Sequence, residues 1–319
     1  MKSLYPECQP FHTFFLDTGT KHKVYVEQSG NPAGIPVIFL HGGPCSGTKP
    51  DHRRFFNPEH YHIILFDQRG CGQSLPFGEL ANNTTQDLID DMERIRQQLA
   101  IKQWLVFGGS WGGALALLYA QQHSTVVSGL IIRAVFLARA KDLAWFTDEG
   151  VGRIYPEQWQ SLLDTLPKQS TYFVDGLCEL LWGDDEISKR RATRAWMAWG
   201  AQVALGSLYN PTKTGEHITE QMVKQAKMEL HYARNKYFVK ENQILEHCHL
   251  IQHIPTVIIH GRQDLMCPIE AGLRLHQALP DADYKILPTA GHIAQGEEMI
   301  AALVNATDQF VEKLALIGH

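Results

Sequence analysis

The residues Trp104-Leu-Val-Phe-Gly-Gly-Ser-Trp-Gly-Gly-Ala114 form the most informative segment of the chain. Its apolar first half predicts a buried strand, and the Leu-Ala-Leu-Leu-Tyr-Ala that follows predicts a helix. Between the two, Gly108-Gly109-Ser110-Trp111-Gly112 matches G-x-S-x-G, the pattern of a nucleophile elbow. Glycine is needed at both ends of this turn because the strand and helix backbones approach too closely for a Cβ atom. The pattern predicts that the serine hydroxyl stands clear of the edge of a sheet.

Strands and helices alternate on both sides of this segment. Continuous apolar runs predict buried strands at Pro36–Leu40, Tyr61–Phe66, Gly129–Arg133, Pro255–His260 and Tyr284–Leu287. Thr84 and Asp87 have the spacing of a capping box and predict the start of a helix. A leading hairpin is predicted from residues 11–17 and 23–28. Strand–helix alternation with short links is typical of a parallel sheet covered on both faces.

The middle of the chain interrupts this alternation. Residues 138–249 show helical periodicity and contain no run that predicts a buried strand. We therefore expect an α/β fold with a mostly parallel, doubly wound sheet. Its core comprises residues 1–137 and 250–319, and residues 138–249 form a helical cap inserted between the two parts.

Two later segments supply the partners that a serine nucleophile needs. A serine hydroxyl is a weak nucleophile unless a base takes its proton, and a third group must orient that base. In folds with this elbow the order along the chain is serine, acid, histidine, with each partner in a loop after a strand. Asp264 follows the predicted strand ending at His260, and His292 follows the one ending at Leu287. We therefore predict Ser110 as nucleophile, His292 as general acid and base, and Asp264 as the orienting carboxylate.

An oxyanion hole is expected beside the nucleophile. One donor belongs to the elbow itself, the backbone N–H of Trp111, because it follows the serine. The second is expected from His41-Gly42-Gly43-Pro44, which follows an early strand, and we predict the N–H of Gly43. Glycine in that loop lets the backbone approach a substrate closely.

Composition excludes several classes of protein. The net charge is −5 and no block of Lys or Arg stands out, so neither nucleic acid nor an anionic membrane is expected as a partner. No apolar stretch has the length of a membrane span, and the first residues lack the apolar run of a signal peptide. Six cysteines without paired spacing are typical of reduced thiols in a cytoplasmic protein.

No metal or other cofactor is expected. The cluster Glu246-His247-Cys248-His249 contains metal-ligating residue types, but no second set accompanies it along the chain. No G-x-G-x-x-G follows a predicted strand, which argues against a dinucleotide cofactor.

Taken together, these motifs resemble the proline iminopeptidases (prolyl aminopeptidases), serine peptidases of the α/β-hydrolase fold. The resemblance covers nearly the whole predicted core and rests on five segments. These are His41–Pro44, Asp67–Ser74, Gly108–Gly112, His260–Pro268 and Gly291-His292.

The resemblance implies an α/β-hydrolase fold and the same functional residues that the motifs predict. Ser110, Asp264 and His292 correspond to the family's triad, and Gly43 and Trp111 to its oxyanion donors. The activity it implies is release of an N-terminal proline from peptides, without a cofactor.

The predicted cap departs from the family's pattern. The resemblance implies two glutamates that hold the free α-amine of the substrate, one directly after a Trp-x-x-Trp pair. Here Trp196-Met-Ala-Trp199 is followed by Gly200. The other precedes a Tyr-Phe pair, and the residue read back from Tyr237-Phe238 is Arg234, with Glu229 or His231 as alternatives.

This departure bears directly on substrate choice. An α-amine has a reference pKa near 7.7–8.0, so it is largely charged at neutral pH and needs an anion when buried. A buried charge without its partner costs roughly 3–5 kcal/mol. Arg234 either faces the pocket, where it would repel an amine and attract a carboxylate, or points to solvent.

Three functions remain open from the sequence. The first is a serine hydrolase resembling proline iminopeptidase that acts through an acyl-enzyme. The second is a carboxylesterase or amidase on the same scaffold with altered cap specificity, and the third is a binding module without catalysis. The expected substrate is a small peptide or ester. The sequence does not predict the oligomeric state.

Overall fold

The computed structural model describes residues 2–167, 172–210 and 217–317. In these residues eight strands form one sheet. The strands are β1 (His12–Asp17), β2 (Lys23–Gly30), β3 (Ile35–Leu40), β4 (Tyr61–Phe66), β5 (Trp104–Ser110), β6 (Val127–Val135), β7 (Thr256–Gly261) and β8 (Asp283–Leu287). Their order across the sheet is β1-β2-β4-β3-β5-β6-β7-β8. The β1–β2 and β2–β4 pairs are antiparallel and the other five pairs are parallel.

Helices connect most of these strands. They are α1 (Thr85–Gln98), α2 (Trp111–Gln122), α3 (Ala140–Thr147), α4 (Glu149–Gly152), α5 (Pro156–Leu163), α6 (Phe173–Trp182), α7 (Glu186–Leu205), α8 (Glu220–Arg234), α9 (Gln243–Glu246), α10 (Ile269–Ala278) and α11 (Glu297–Ile317). None of the described helices combines the length and the hydrophobicity that crossing a membrane requires.

The sheet separates two apolar clusters, as the continuous apolar strands predict. Successive side chains of β4 alternate between them: Ile64 and Phe66 belong to the cluster beneath α1 and α2, and Ile63 and Leu65 to the cluster beneath α11. Because a strand presents alternate residues to opposite faces, a strand covered on both faces must be apolar throughout. The doubly wound, mostly parallel sheet is therefore confirmed.

Local sequence signals also fix element boundaries in the core. The leading hairpin forms between β1 and β2, with Phe15 opposite Tyr25 in the register. Helix α1 begins with the predicted capping box: Thr84 Oγ1 accepts a hydrogen bond from the backbone N–H of Asp87, whose carboxylate accepts one from the N–H of Thr84. This box satisfies donors at the helix start that have no partner within the helix.

All regular secondary structure described between β6 and β7 is helical, from α3 to α9. These helices have their own apolar cluster, which includes Leu177, Trp196, Trp199 and Leu230. Residues 168–171 and 211–216 of the predicted cap lie outside the described residues. The division at residues 137/138 and 249/250 stays a prediction; β6 ends at Val135 and β7 begins at Thr256.

Candidate active site

Ser110 is the last residue of β5 and directly precedes α2. Its φ of 57° and ψ of −125° lie outside the regions that most residues adopt, as a sharp strand-to-helix turn requires. A Cβ atom at Gly108 would lie 2.1 Å from the carbonyl oxygen of Gly112, and one at Gly112 would lie 2.1 Å from that of Leu40. Both glycines are therefore required sterically, and the turn directs Ser110 into a cavity.

Asp264 and His292 lie in direct contact, although 28 positions separate them in the chain. His292 Nδ1 is 3.0 Å from each carboxylate oxygen of Asp264. The backbone N–H groups of Met266 and Cys267 also donate to Oδ1, at 2.9 and 2.8 Å. Burial opposes ionisation of Asp264, but His292, His260 and the N–H of Cys267 outweigh it and hold the carboxyl pKa below its usual value. An ionised Asp264 fixes the orientation of the His292 ring.

Ser110 opens into the same cavity as His292. Its Oγ lies 3.9 Å from the Sγ of Cys267, and no hydrogen bond within the described ranges joins Ser110 to His292. Ligand-type atoms of Asp264, Cys267 and His292 all lie within 4.8 Å of one another. Serine–base hydrogen bonds are often long in ligand-free enzymes and tighten when substrate binds. The structure thus pairs the acid with the histidine directly and places the serine beside them.

The loop after β3 borders Ser110 on its other side. A Cβ atom at Gly42 would lie 3.5 Å from the Cβ of Ser110. Gly43 has φ of 114°, and a Cβ there would lie 2.7 Å from the backbone N of Cys45, so only glycine fits. Trp111 is the first residue of α2, and its N–H belongs to the four that have no acceptor within a helix. Gly43 and Trp111 both line the cavity.

Gln68 joins these two segments, a role that sequence reasoning missed. Its backbone N–H donates to His41 Nε2 at 3.0 Å, and its side-chain amide donates to the His41 carbonyl at 2.8 Å. The indole N–H of Trp111 donates to Gln68 Oε1 at 2.9 Å. Burial lowers the pKa of His41, which suits a ring nitrogen that accepts a hydrogen bond. Gln68 therefore connects the loop after β3 to the elbow through hydrogen bonds to both.

Arg69, the residue after Gln68, anchors the Asp67–Ser74 segment to α1. Arg69 is 1 % exposed and pairs with Asp91, which is fully buried, at 2.6 and 2.8 Å. Asp87 accepts a further hydrogen bond from Arg69 at 3.0 Å. The geometry is that of a two-pronged guanidinium–carboxylate pair, the arrangement that compensates best for burying both charges.

Asp91→Asn is expected to lower the free energy of unfolding by about 3 kcal/mol, because it removes the fully buried carboxylate of the pair and leaves Arg69 only the partly exposed Asp87 as a charged partner. Chemical denaturation with an unchanged m-value measures this loss. Asp90→Asn is the matched control, since Asp90 is exposed and pairs only with Gln86 among its described contacts. Equal stability of the two variants would contradict the assigned role of the Arg69–Asp91 pair.

Arg133 lies on β6, which flanks β5 on the side opposite to β3, and it packs against the elbow from there. Its Nη1 donates a hydrogen bond to the carbonyl oxygen of His292. A Cβ atom at Gly109 would lie 2.3 Å from Nη2, so the guanidinium packs against the backbone beside Ser110. Burial lowers the pKa of Arg133, while Asp264 and Cys267 act in the opposite direction. Arg133 thus connects the His292 loop to the strand next to Ser110.

The cavity above Ser110 has a volume of about 570 Å³, within the range of small-molecule sites. Glu229 of α8 contributes a carboxylate to its wall. Trp196 Nε1 donates to Glu229 Oε2 at 2.7 Å and Gln225 Nε2 donates to Oε1 at 3.0 Å. Burial raises the pKa of Glu229 against the effect of these two hydrogen bonds. Trp196 and Gln225 are both neutral, so the Glu229 carboxylate is well placed to pair with a cation.

The structure decides between the alternatives left open in the cap. Arg234 is 61 % exposed, lies 3.4 Å from Asp175 and does not line the cavity, so the reading in which it faces the pocket is wrong. His231 contacts the carbonyl oxygen of Asn83 at 3.1 Å. Glu229 is the alternative that reaches the cavity. Gly200 also lines it, and a Cβ there would meet nothing within 4 Å.

The strand order, the tight serine turn after β5 and the acid–histidine pair after β7 and β8 define an α/β hydrolase. The model of the alpha/beta hydrolase fold family matches residues 35–299. A thermophilic esterase from Thermogutta terrifontis has the same fold, with a TM-score of 0.62 and 17 % identity over 95 % of this chain and 98 % of that one.

More similar relatives narrow the family. Proline iminopeptidase from Xanthomonas citri is 41 % identical over 97 % of this chain and 100 % of that protein. Proline iminopeptidase from Arabidopsis thaliana is 42 % identical over 97 % of this chain and 82 % of that protein. The chain belongs to the proline iminopeptidase family.

Proposed function

We propose that the protein hydrolyses the bond after an N-terminal proline and releases proline from peptides. Ser110 acts as nucleophile, His292 as general base and then acid, and Asp264 as the carboxylate that orients His292. The observation that carries the proposal is the Asp264–His292 pair beside Ser110, in a cavity that also holds the enclosed carboxylate of Glu229. The names of relatives about 40 % identical over nearly the full chain support the same activity.

In the proposed acylation step, Ser110 Oγ attacks the prolyl carbonyl carbon while His292 Nε2 takes the hydroxyl proton. The carbonyl oxygen becomes an oxyanion and accepts hydrogen bonds from the N–H groups of Gly43 and Trp111. Loss of one such donor typically costs about 2.7–4 kcal/mol of transition-state stabilisation. The C–N bond then breaks, and His292 gives its proton to the leaving amine.

Deacylation repeats the sequence with water. His292 takes a proton from a water molecule that attacks the prolyl ester, and returns it to Ser110 as the ester bond breaks. The products are proline and the shortened peptide. Every proton that enters the cycle leaves on a product, so the proposed reaction needs no cofactor.

Glu229 is proposed to hold the protonated amine of the proline. The cation would share its carboxylate with Trp196 and Gln225, which already occupy one lone pair on each oxygen. The aromatic rings of Phe136 and Tyr237 also line the cavity, with centroids 4.9 Å apart. They offer an apolar surface to the pyrrolidine ring.

We also infer a cytoplasmic location, supported by the thiols. All six cysteines are unpaired, and five of them are buried. Free buried thiols are typical of compartments that keep cysteines reduced.

The test compares three substrates. We expect proline β-naphthylamide to exceed its N-acetylated form in kcat/KM by about two to three decades, because only the free amine pairs with a buried carboxylate. p-Nitrophenyl acetate reports the hydrolytic residues without any amine. Ester turnover with no preference for the free amine would favour a carboxylesterase with altered cap specificity. Absence of all turnover would contradict catalysis itself.

A further inference from the structure

Besides histidines, five Asp, Glu, Lys or Arg side chains line the cavity: Lys49, Asp51, Arg133, Asp142 and Glu229. Two of the carboxylates already have ion-pair partners. Asp51 lies 2.9 Å from Arg54, and Asp142 lies 2.7 Å from Arg139. The other three side chains have no ion pair among the described contacts, so they set the polarity of the cavity.

The negative charge and the two positive charges come from different parts of the fold. Glu229 lies in the cap, and both of its hydrogen-bond donors are cap residues. Arg133 and Lys49 belong to the core, on β6 and on the loop that continues from Gly43. The cavity is therefore negative towards the cap, where the proposed function places the proline amine, and positive towards the core loop.

Lys49 is exposed, lies six residues after Gly43 and lines the cavity. Its ammonium group takes part in no ion pair within the described chain. An ammonium on a flexible four-carbon stem reaches a carboxylate in several geometries, so it suits a group whose position varies between substrates.

His52 supplies a second donor next to it. Its ring stacks on Phe39 with a centroid distance of 4.4 Å, and its Nδ1 accepts the backbone N–H of Lys49 at 3.1 Å. Burial, aided by nearby His41 and Lys49, lowers the pKa of His52 to about 3, so the ring is neutral at neutral pH. Since Nδ1 is an acceptor, the proton is on Nε2, which forms no hydrogen bond among the described residues.

We propose that Lys49 and His52 form a carboxylate-binding subsite on the leaving-group side of Ser110, and that the preferred substrates are dipeptides with N-terminal proline and a free C-terminal carboxylate. The inference rests on the proposed function. A dipeptide zwitterion matches the cavity at both ends, with its amine at Glu229 and its carboxylate at Lys49 and His52. Backbone and side-chain donors of this kind commonly capture a terminal carboxylate.

The measured quantity is the ratio of kcat/KM for Pro-Gly to that for Pro-Gly amide, which differ only in the carboxylate. We expect a ratio of about ten in the wild type, the effect of one hydrogen-bonded charge pair that stays partly hydrated. Lys49→Met should bring the ratio close to one, and added salt should lower it in the wild type because screening weakens exposed pairs. Lys102→Met is the matched control, an exposed lysine outside the cavity that should keep the wild-type ratio.

A third substrate identifies the source of the carboxylate. Pro-Asp amide carries its only carboxylate on a side chain, and we expect it to be cleaved no faster than Pro-Gly amide. The subsite is overturned if the wild-type ratio is near one, if Lys49→Met preserves the ratio, or if Pro-Asp amide matches Pro-Gly. Failure of the proposed function is a different result, namely no cleavage of Pro-Gly, its amide or proline β-naphthylamide.

Discussion

Ser110→Ala is expected to lower kcat on proline β-naphthylamide by four to six orders of magnitude, on the scale of losses seen when a serine nucleophile is removed. The proposed attacking oxygen is lost, while His292 and the proposed oxyanion donors remain in place. Folding should be unaffected, because the only described side-chain contact of Ser110 Oγ is the 3.9 Å approach to Cys267. Alanine also tolerates the unusual backbone conformation of the turn as well as serine does.

Two measurements and a control variant separate this outcome from a folding defect. The variant should keep the melting temperature of the wild type and should no longer be labelled by a fluorophosphonate. Ser161→Ala, at an exposed position of α5, is the matched control and should retain both activity and labelling. A near-wild-type rate in purified Ser110→Ala would show that another group attacks the substrate, and the proposed triad would fall with it.

The core was predictable because each of its elements carries a local physical signal. A strand such as β4 is apolar at every position because both of its faces are covered, which no exposed strand requires. The capping box of Thr84 and Asp87 marks the start of α1 within the sequence itself. The elbow is equally local, since the steric need for glycine at 108 and 112 comes from neighbours within a few residues and from the adjacent strand β3.

The cap site was not predictable in the same way. Reading back from Tyr237-Phe238 by spacing alone gives Arg234, with Glu229 and His231 as alternatives. In the structure residues 236–238 have positive φ values of 51–55°, and they break the helix that ends at Arg234. Glu229 and Arg234 are five positions apart, about 140° around an α-helix, so only one of them can face the cavity.

Polar residues whose partners lie far away in the chain set a second limit on what the sequence predicts. Gln68 and Arg133 each follow an apolar run, and nothing nearby in the sequence indicates what they bind. Gln68 contacts His41 and Trp111, and Arg133 contacts the carbonyl of His292. Only the order of the strands in the sheet brings these partners together. Residues of this kind become visible as site components once β3, β4, β5 and β6 are placed side by side.

Glu229→Gln is expected to lower kcat/KM on proline β-naphthylamide by about two to three decades, because the protonated amine would lose its proposed carboxylate partner. Glutamine has the same shape and still accepts the hydrogen bond from Trp196, so the change removes charge rather than packing. The acetylated substrate, which carries no amine charge, should be affected far less. Steady-state kinetics on the two substrates measure the difference.

The same variant should be more stable than the wild type, and increasingly so as the pH rises. Because burial raises the pKa of Glu229, the folded protein holds this proton more tightly than the unfolded chain does. Glu229 therefore costs no stability below the unfolded pKa of about 4.3, and lowers stability as the pH rises through the folded value. Melting temperatures of the two proteins should converge in acid and separate towards neutral pH.

Glu220→Gln controls for loss of a negative charge on the same helix, since Glu220 is exposed in the first turn of α8. It should change neither the substrate preference nor the pH dependence of the melting temperature. If Glu229→Gln lowered activity equally on the free and the acetylated substrate, Glu229 would support the cap rather than bind the amine. A pH-independent melting difference would point the same way, because a purely structural hydrogen bond to Trp196 does not depend on the ionisation of the carboxyl group.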